Sequence, residues 1–168
     1  TIEKGLLIVN TGPGKGKTTA AFGLALRMLG YGHRVGVVQF VKGAWHTGER
    51  DAFRAFGDKV AWHTMGEGFT WETQDRERDV AAAKAAWAKA EDLLADPTIS
   101  LIVLDELNIA LRYDYLDIAE VVDLGASLQG RPMRGLRLAN DAFGDAACKP
   151  TVLYNAACVY CQLGRKPD

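Results

Sequence analysis

Apolar runs without polar interruption alternate along this chain with segments of helical periodicity, and glycines or prolines separate them. Gly5-Leu6-Leu7-Ile8-Val9-Asn10 predicts a strand covered on both faces, broken at Thr11-Gly12-Pro13-Gly14. Lys17 to Leu29 is helical and apolar nearly all round, with Ala20, Phe22, Leu24, Leu26 and Met28; Gly30 and Gly32 stop it. Arg34 to Phe40 predicts a second buried strand, and a polar loop through Gly43 and Gly48 follows. Glu49 to Phe56 predicts a short helix and Val60 to His63 a short strand. Gln74 to Ala95 carries the clearest helical period, in Val80, Ala83, Trp87, Ala90 and Leu94, and ends at Asp96-Pro97. Ile99 to Leu104 is another all-apolar strand, closed by Asp105-Glu106. Leu107 to Arg112 opens a helix and Leu116 to Asp123 predicts one more. Strands buried on both faces and alternating with helices predict an α/β fold with a mostly parallel sheet.

The texture changes after Asp123, which divides the chain into residues 1–123 and an atypical tail, 124–168. No Glu occurs beyond Glu120, Arg131, Arg134 and Arg137 crowd among glycines, and all of Cys148, Cys158 and Cys161 fall here. Only Thr151 to Tyr154 resembles a strand, and Ala156 to Leu163 shows no clear period.

Composition narrows the picture. A chain of 168 residues suits one core-forming domain. A net charge of −1 and the lack of a basic stripe argue against nucleic acid and against an anionic membrane surface. No apolar run is long enough to span a bilayer, and Thr1-Ile2-Glu3-Lys4 leads straight into a strand without a signal peptide. The initiator Met is absent, so residues before Thr1 are expected to have been removed. Three cysteines, an odd number, argue against a disulfide framework and for a cytoplasmic location. A lone Cys-x-x-Cys without a second pair or histidines is too little for zinc. His33, His46 and His63 lack metal-ligand spacing and read as surface or edge residues.

Candidate chemistry lies where strands end. Gly12-Pro13-Gly14-Lys15-Gly16-Lys17-Thr18-Thr19 follows a buried strand and opens a helix, the context a phosphate loop needs. Glycines let successive N–H groups face one anion, and the helix start adds partial positive charge. Lys17 is placed to reach the outer phosphates, Thr18 to offer its hydroxyl to a divalent cation, and Lys15 adds a second cation. The common motif has four residues between its first glycine and the Gly-Lys pair; here only Pro13, Gly14 and Lys15 stand there, so the loop is tighter. Asp105 and Glu106 close a strand at the end where open α/β sheets bind ligands. They can hold Mg²⁺ or Mn²⁺, or Asp105 can cap the next helix at Asn108; the neighbouring phosphate loop favours metal. Phe69 and Trp71, two apart among glycines, face one way in an extended segment and either cover a flat ligand or fold into the core. Arg112-Tyr113-Asp114-Tyr115 is open between a solvated turn with ring packing and a part of the site.

Taken in order, Thr11 to Thr19, Val37-Val38-Gln39-Phe40-Val41-Lys42-Gly43, Gly68-Phe69-Thr70-Trp71-Glu72-Thr73, Val103 to Asn108 and Tyr113-Asp114-Tyr115-Leu116 closely resemble the cob(I)yrinic acid a,c-diamide adenosyltransferases. These are the bacterial ATP:corrinoid adenosyltransferases of vitamin B12 synthesis. The resemblance covers about Lys4 to Asp123, shortened phosphate loop included. It implies a P-loop, RecA-like fold and attack of a reduced Co(I) corrinoid on the 5′ carbon of ATP, with the whole triphosphate leaving. It also implies that Phe69 and Trp71 close over the corrinoid and displace its lower axial ligand, that the protein is a homodimer, and that a reduced flavoprotein supplies electrons. The family continues with a strand ending in a Thr-Gly-Arg turn, a helix, a last strand and a Val-Lys-His-x-Phe segment. Leu124 to Asp168 has none of these, and its texture is that of a reading frame shifted near Asp123 or Leu124. On that expectation, a strand beside the phosphate-loop strand or the Asp105 strand is lost and sheet edge is exposed. A non-catalytic ATP-binding remnant and a RecA-like nucleic-acid ATPase are the competing functions.

Overall fold

The computed structural model describes residues 6–11, 14–41, 47–65, 75–128 and 157–161. In chain order the elements are β1 (Leu6–Asn10), α1 (Lys17–Gly30), β2 (Arg34–Gln39), α2 (Gly48–Arg54) and β3 (Val60–Thr64). Then come α3 (Arg76–Ala95), β4 (Ile99–Asp105), α4 (Leu107–Arg112), α5 (Ile118–Leu128) and β5 (Ala157–Cys161). The sheet order is β1-β5-β4-β2-β3. β2 pairs with β3 and with β4 in parallel, whereas β5 is antiparallel to both β1 and β4. β1 to β4 therefore run one way, and the ends that follow them lie along one edge of the sheet.

Alternation along the strands sorts the core into two layers. Val35, Val37, Leu101 and Val103 pack against Ala21, Phe22, Ala25 and Leu29 of α1 and Phe53 of α2. Val38, Ile102 and Leu104 pack against Ala83, Ala86, Trp87, Ala90, Leu93 and Leu94 of α3, with Leu107 and Ala110 of α4. Helices thus cover both faces, which is why these strands read as continuous apolar runs. Gly36 makes close packing possible: a Cβ there would stand 2.9 Å from Leu93 Cδ1. α3 begins at Asp75, whose side chain accepts from Arg78 N, and runs to the Pro97 break. No described helix is long and apolar enough to cross a membrane.

Two differences from the sequence reading concern the tail. β5 lies at Ala157–Cys161, inside the stretch that shows no period, while Thr151 to Tyr154 lies outside the described residues. A strand this short, with partners on both sides, carries too few residues for a period to reveal it. Where a strand beside the phosphate-loop strand or the Asp105 strand is expected to be lost, β5 pairs with both of them. In addition, α5 starts later than expected, because Asp117 Oδ1 accepts from Ala119 N and caps it, and runs past Asp123 to Leu128.

Candidate active site

The site begins with the register of the sheet. Asn10, Ala157, Asp105, Gln39 and Thr64 form one row across all five strands, at the edge where β1, β2, β3 and β4 end. Gln39 and Asp105 share the alternation of Val37 and Val103, so their side chains face α1.

After β1 the chain turns through the glycine-rich loop into α1. Gly12 and Pro13 lie outside the described residues. Gly14 and Gly16 take φ of 90° and 102°, the left-handed region that a side chain disfavours. Gly16 caps α1 with no side chain to occupy the first-turn N–H groups, and that turn holds no acidic residue. Its partial positive charge is therefore uncompensated by its own sequence, as anion binding at a helix start requires. Lys15 is exposed; Lys17 is half-buried and its Nζ donates to the Gly14 carbonyl, folding the cation back over the loop. Thr19 is exposed, whereas Thr18 points inward and its Oγ1 donates to Asp105 Oδ1 at 3.1 Å. The contact joins residues 87 positions apart.

Asp105 is only 1% exposed, so its carboxylate must be matched by donors within the protein. Thr18 serves Oδ1, and Gln39 Nε2 donates to Oδ2 at 3.1 Å. Gln39, itself 2% exposed, accepts at Oε1 from Thr64 Oγ1 (3.0 Å) and Trp62 Nε1 (3.2 Å). In the sequence Gln39 stands only as part of a motif. Its signal is a polar residue near the end of an apolar strand, which a plain strand end also shows. The residue that caps α4 is Glu106, not Asp105, and it does so in a left-handed conformation, φ 65°, with no side-chain cap bond. That region is costly for a residue with a side chain and swings the chain sharply from strand to helix. Asp105 and Thr18 are brought together; Glu106 lies next to them on the turn.

Phe69 and Trp71 lie outside the described residues, as do Lys42 to His46. The turn at Tyr113 to Tyr115 is built by ring packing against α3. Arg76 donates to the carbonyls of Tyr113 and Asp114 and sits 5.6 Å over the Tyr115 ring, which stacks on Tyr113. Tyr115 Oη donates to Asp79. His33 and His63 are half-buried near the sheet margin, and His33 Nδ1 lies 3.3 Å from Ser100 Oγ. Among the described residues no cluster of three His, Cys, Asp or Glu side chains is arranged to hold a metal ion.

These observations define an α/β protein with parallel strands, a glycine loop opening its first helix, and a buried acidic strand end bonded to that helix. Comparison with known proteins carries the assignment further. Residues 3–133 match the family described as ATP:corrinoid adenosyltransferase BtuR/CobO/CobP, and the chain belongs to it. Over 130 residues the chain is 58% identical to the corrinoid adenosyltransferase of Pseudomonas aeruginosa, covering 77% of this chain and 63% of that protein. It is 60% identical over 123 residues to the corrinoid adenosyltransferase of a Sinorhizobium species, covering 73% of this chain and 58% of the relative. To the corrinoid adenosyltransferase CobA of Salmonella typhimurium it is 52% identical over 130 residues, 77% of this chain and 64% of the relative. The chain thus spans somewhat less than two thirds of the length of these curated relatives.

Proposed function

We propose that the chain transfers the 5′-deoxyadenosyl group of ATP to the cobalt of a reduced corrinoid and releases triphosphate. The observation that carries this reading is the Thr18 to Asp105 contact at 3.1 Å, beside a loop whose glycines take left-handed angles. Membership of the family and 50–60% identity to adenosyltransferases give the reaction its substrates.

In this reading the fold is of the P-loop, RecA-like kind. Gly12 to Thr19 wrap the triphosphate with backbone N–H groups, and Lys15 and Lys17 add charge. The hydroxyl of Thr18 and the carboxylate of Asp105 are oxygen donors only, which fits a hard divalent cation, with Glu106 adjacent. Mg²⁺, or Mn²⁺, when bound there with the nucleotide supplies neutralising charge to the phosphate oxygens. The nucleophile is the electron pair of Co(I): a cobalt–carbon bond forms at C5′, the C5′–O bond breaks, and its electron pair leaves with the triphosphate. Cobalt is formally oxidised from Co(I) to Co(III). The protein needs no nucleophile of its own; its work is alignment and stabilisation of the leaving group. Phe69 and Trp71 cover the corrinoid and keep its lower face dry. A reduced flavoprotein supplies the electrons, and the enzyme works as a cytoplasmic homodimer.

The test is adenosylation of cob(I)alamin with ATP under reducing conditions, followed through the light-sensitive cobalt–carbon product. Product formation is expected. ATP binding without product would leave a nucleotide-binding protein and remove the transferase reading. For the tail we propose a shifted reading frame near Asp123 or Leu124. If no alternative frame of the coding DNA restores a Thr-Gly-Arg turn and a Val-Lys-His-x-Phe segment, that idea fails.

A further inference from the structure

We propose that Gln39 is a positioning residue of the metal–triphosphate site: it fixes the orientation of Asp105 and ties that carboxylate, through Trp62 and Thr64, to the edge strand β3. The inference rests on the reading of Thr18 and Asp105 as holders of a divalent cation.

The chemistry of the network sets the direction of the Gln39 amide. An indole N–H is a donor only, so the amide atom 3.2 Å from Trp62 Nε1 must be the oxygen. Thr64 Oγ1 donates to the same oxygen at 3.0 Å. The amide nitrogen therefore faces Asp105 Oδ2 at 3.1 Å and donates to it. A flipped amide would set donor against donor at Trp62 and acceptor against acceptor at Asp105. Thr64, Gln39 and Asp105 are neighbours in one register row, so backbone pairing holds the three at fixed spacing. Gln39 and Asp105 are both almost wholly buried, where an orienting bond is not diluted by water. With Oδ2 held by Gln39, the carboxylate plane is fixed and Oδ1 stays toward Thr18. Outer partners of this kind set the orientation of a metal-binding carboxylate, and losing one typically weakens metal affinity about 10- to 100-fold.

The experiment compares wild type with Gln39→Met, which keeps the length of the side chain and removes its donor and acceptor. ATP binding to the full chain is measured by calorimetry, first in EDTA and then across a Mg²⁺ titration. The variant is expected to bind ATP in EDTA as wild type does. It should need about 10- to 100-fold more Mg²⁺ for half-maximal enhancement. A lowered melting temperature with an unchanged Mg²⁺ requirement would mean that Gln39 only stabilises the fold, and would overturn the proposal. A measurement on the unaltered protein covers the case in which the variant does not fold. The Trp62 indole N–H resonance, identified by its loss in Trp62→Phe, should shift when Mg²⁺ is added to the ATP-bound protein, because the ion pulls on the chain from Asp105 through Gln39. A resonance indifferent to Mg²⁺ overturns the proposal. Failure of wild type to bind ATP at all would sink the nucleotide reading and this inference together; normal ATP binding with Mg²⁺ coupling untouched by Gln39→Met sinks this inference alone.

Discussion

Lys17 shows how a single residue acquires its setting. Its place at the first turn of α1 follows from the sequence, but its ammonium is drawn over the loop by the Gly14 carbonyl, next to two glycines in left-handed geometry. Lys17→Ala removes a charge-assisted contact to phosphate, worth about 1.5–3 kcal/mol, so triphosphate binding should weaken roughly 10- to 100-fold. Calorimetry with ATP measures it; unchanged affinity would refute the phosphate-loop role. His63 makes a different point. Its burial on β3, and then the neighbouring Lys89 ammonium, hold its pKa below the ordinary 6.5, with Asp92 opposing. The folded protein thus takes up this proton less readily than the unfolded chain. Stability is full above the unfolded value of 6.5 and is lost as pH falls toward the lower folded value. His63→Gln should therefore lose less stability than wild type between neutral pH and pH about 5, as thermal unfolding at each pH reads.

At the scale of elements, β2 and α3 meet through one glycine. Gly36 carries no side chain, and Leu93 Cδ1 and Ile102 Cγ1 occupy the space a Cβ would need, at 2.9 and 3.4 Å. Gly36→Val should cost about 1–3 kcal/mol by overpacking, despite the better strand propensity of valine. Gly36→Ala should cost less, since Leu93 can give way at its methyl end. Denaturant midpoints test both, and a stabilised Gly36→Val would show that α3 rides loosely on the sheet. The elements themselves were largely legible. β1, β2 and β4 stand out because strands covered on both faces must be apolar throughout, and α3 because only one of its faces is. Boundaries were less so: α5 starts at Ile118 because Asp117 caps it, a detail of side-chain geometry that periodicity does not carry.

Across the whole molecule, among the described residues β1 is joined in the sheet to the other strands only through β5, a segment just over fifty residues beyond β4. Val159 sits between Ile8 and Val103 in this double ladder. Val159→Pro removes an N–H and collides with the pairing, so β1 should detach and, with it, the loop that begins at Thr11. Loss of ATP binding together with early hydrogen exchange of the β1 amides is expected; protected β1 amides in this variant would show that α1 alone anchors the strand. This arrangement was not legible beforehand. A five-residue apolar run carries no mark of which strands it will join, and pairing of distant segments is decided by the slot the other elements leave.

The sequence by itself determined the local pieces: which segments become strands or helices, where glycines permit the tight loop, and that Thr18 opens a helix and Asp105 ends a strand in the right chemical company. Those follow from covalent geometry and burial, which act over a few residues. Tertiary structure alone decided that Thr18 reaches Asp105, that Gln39 holds the other carboxylate oxygen, and that β5 closes the sheet. Each of these depends on register between strands or on how α1 lies against the sheet, and both are set by packing across the whole molecule.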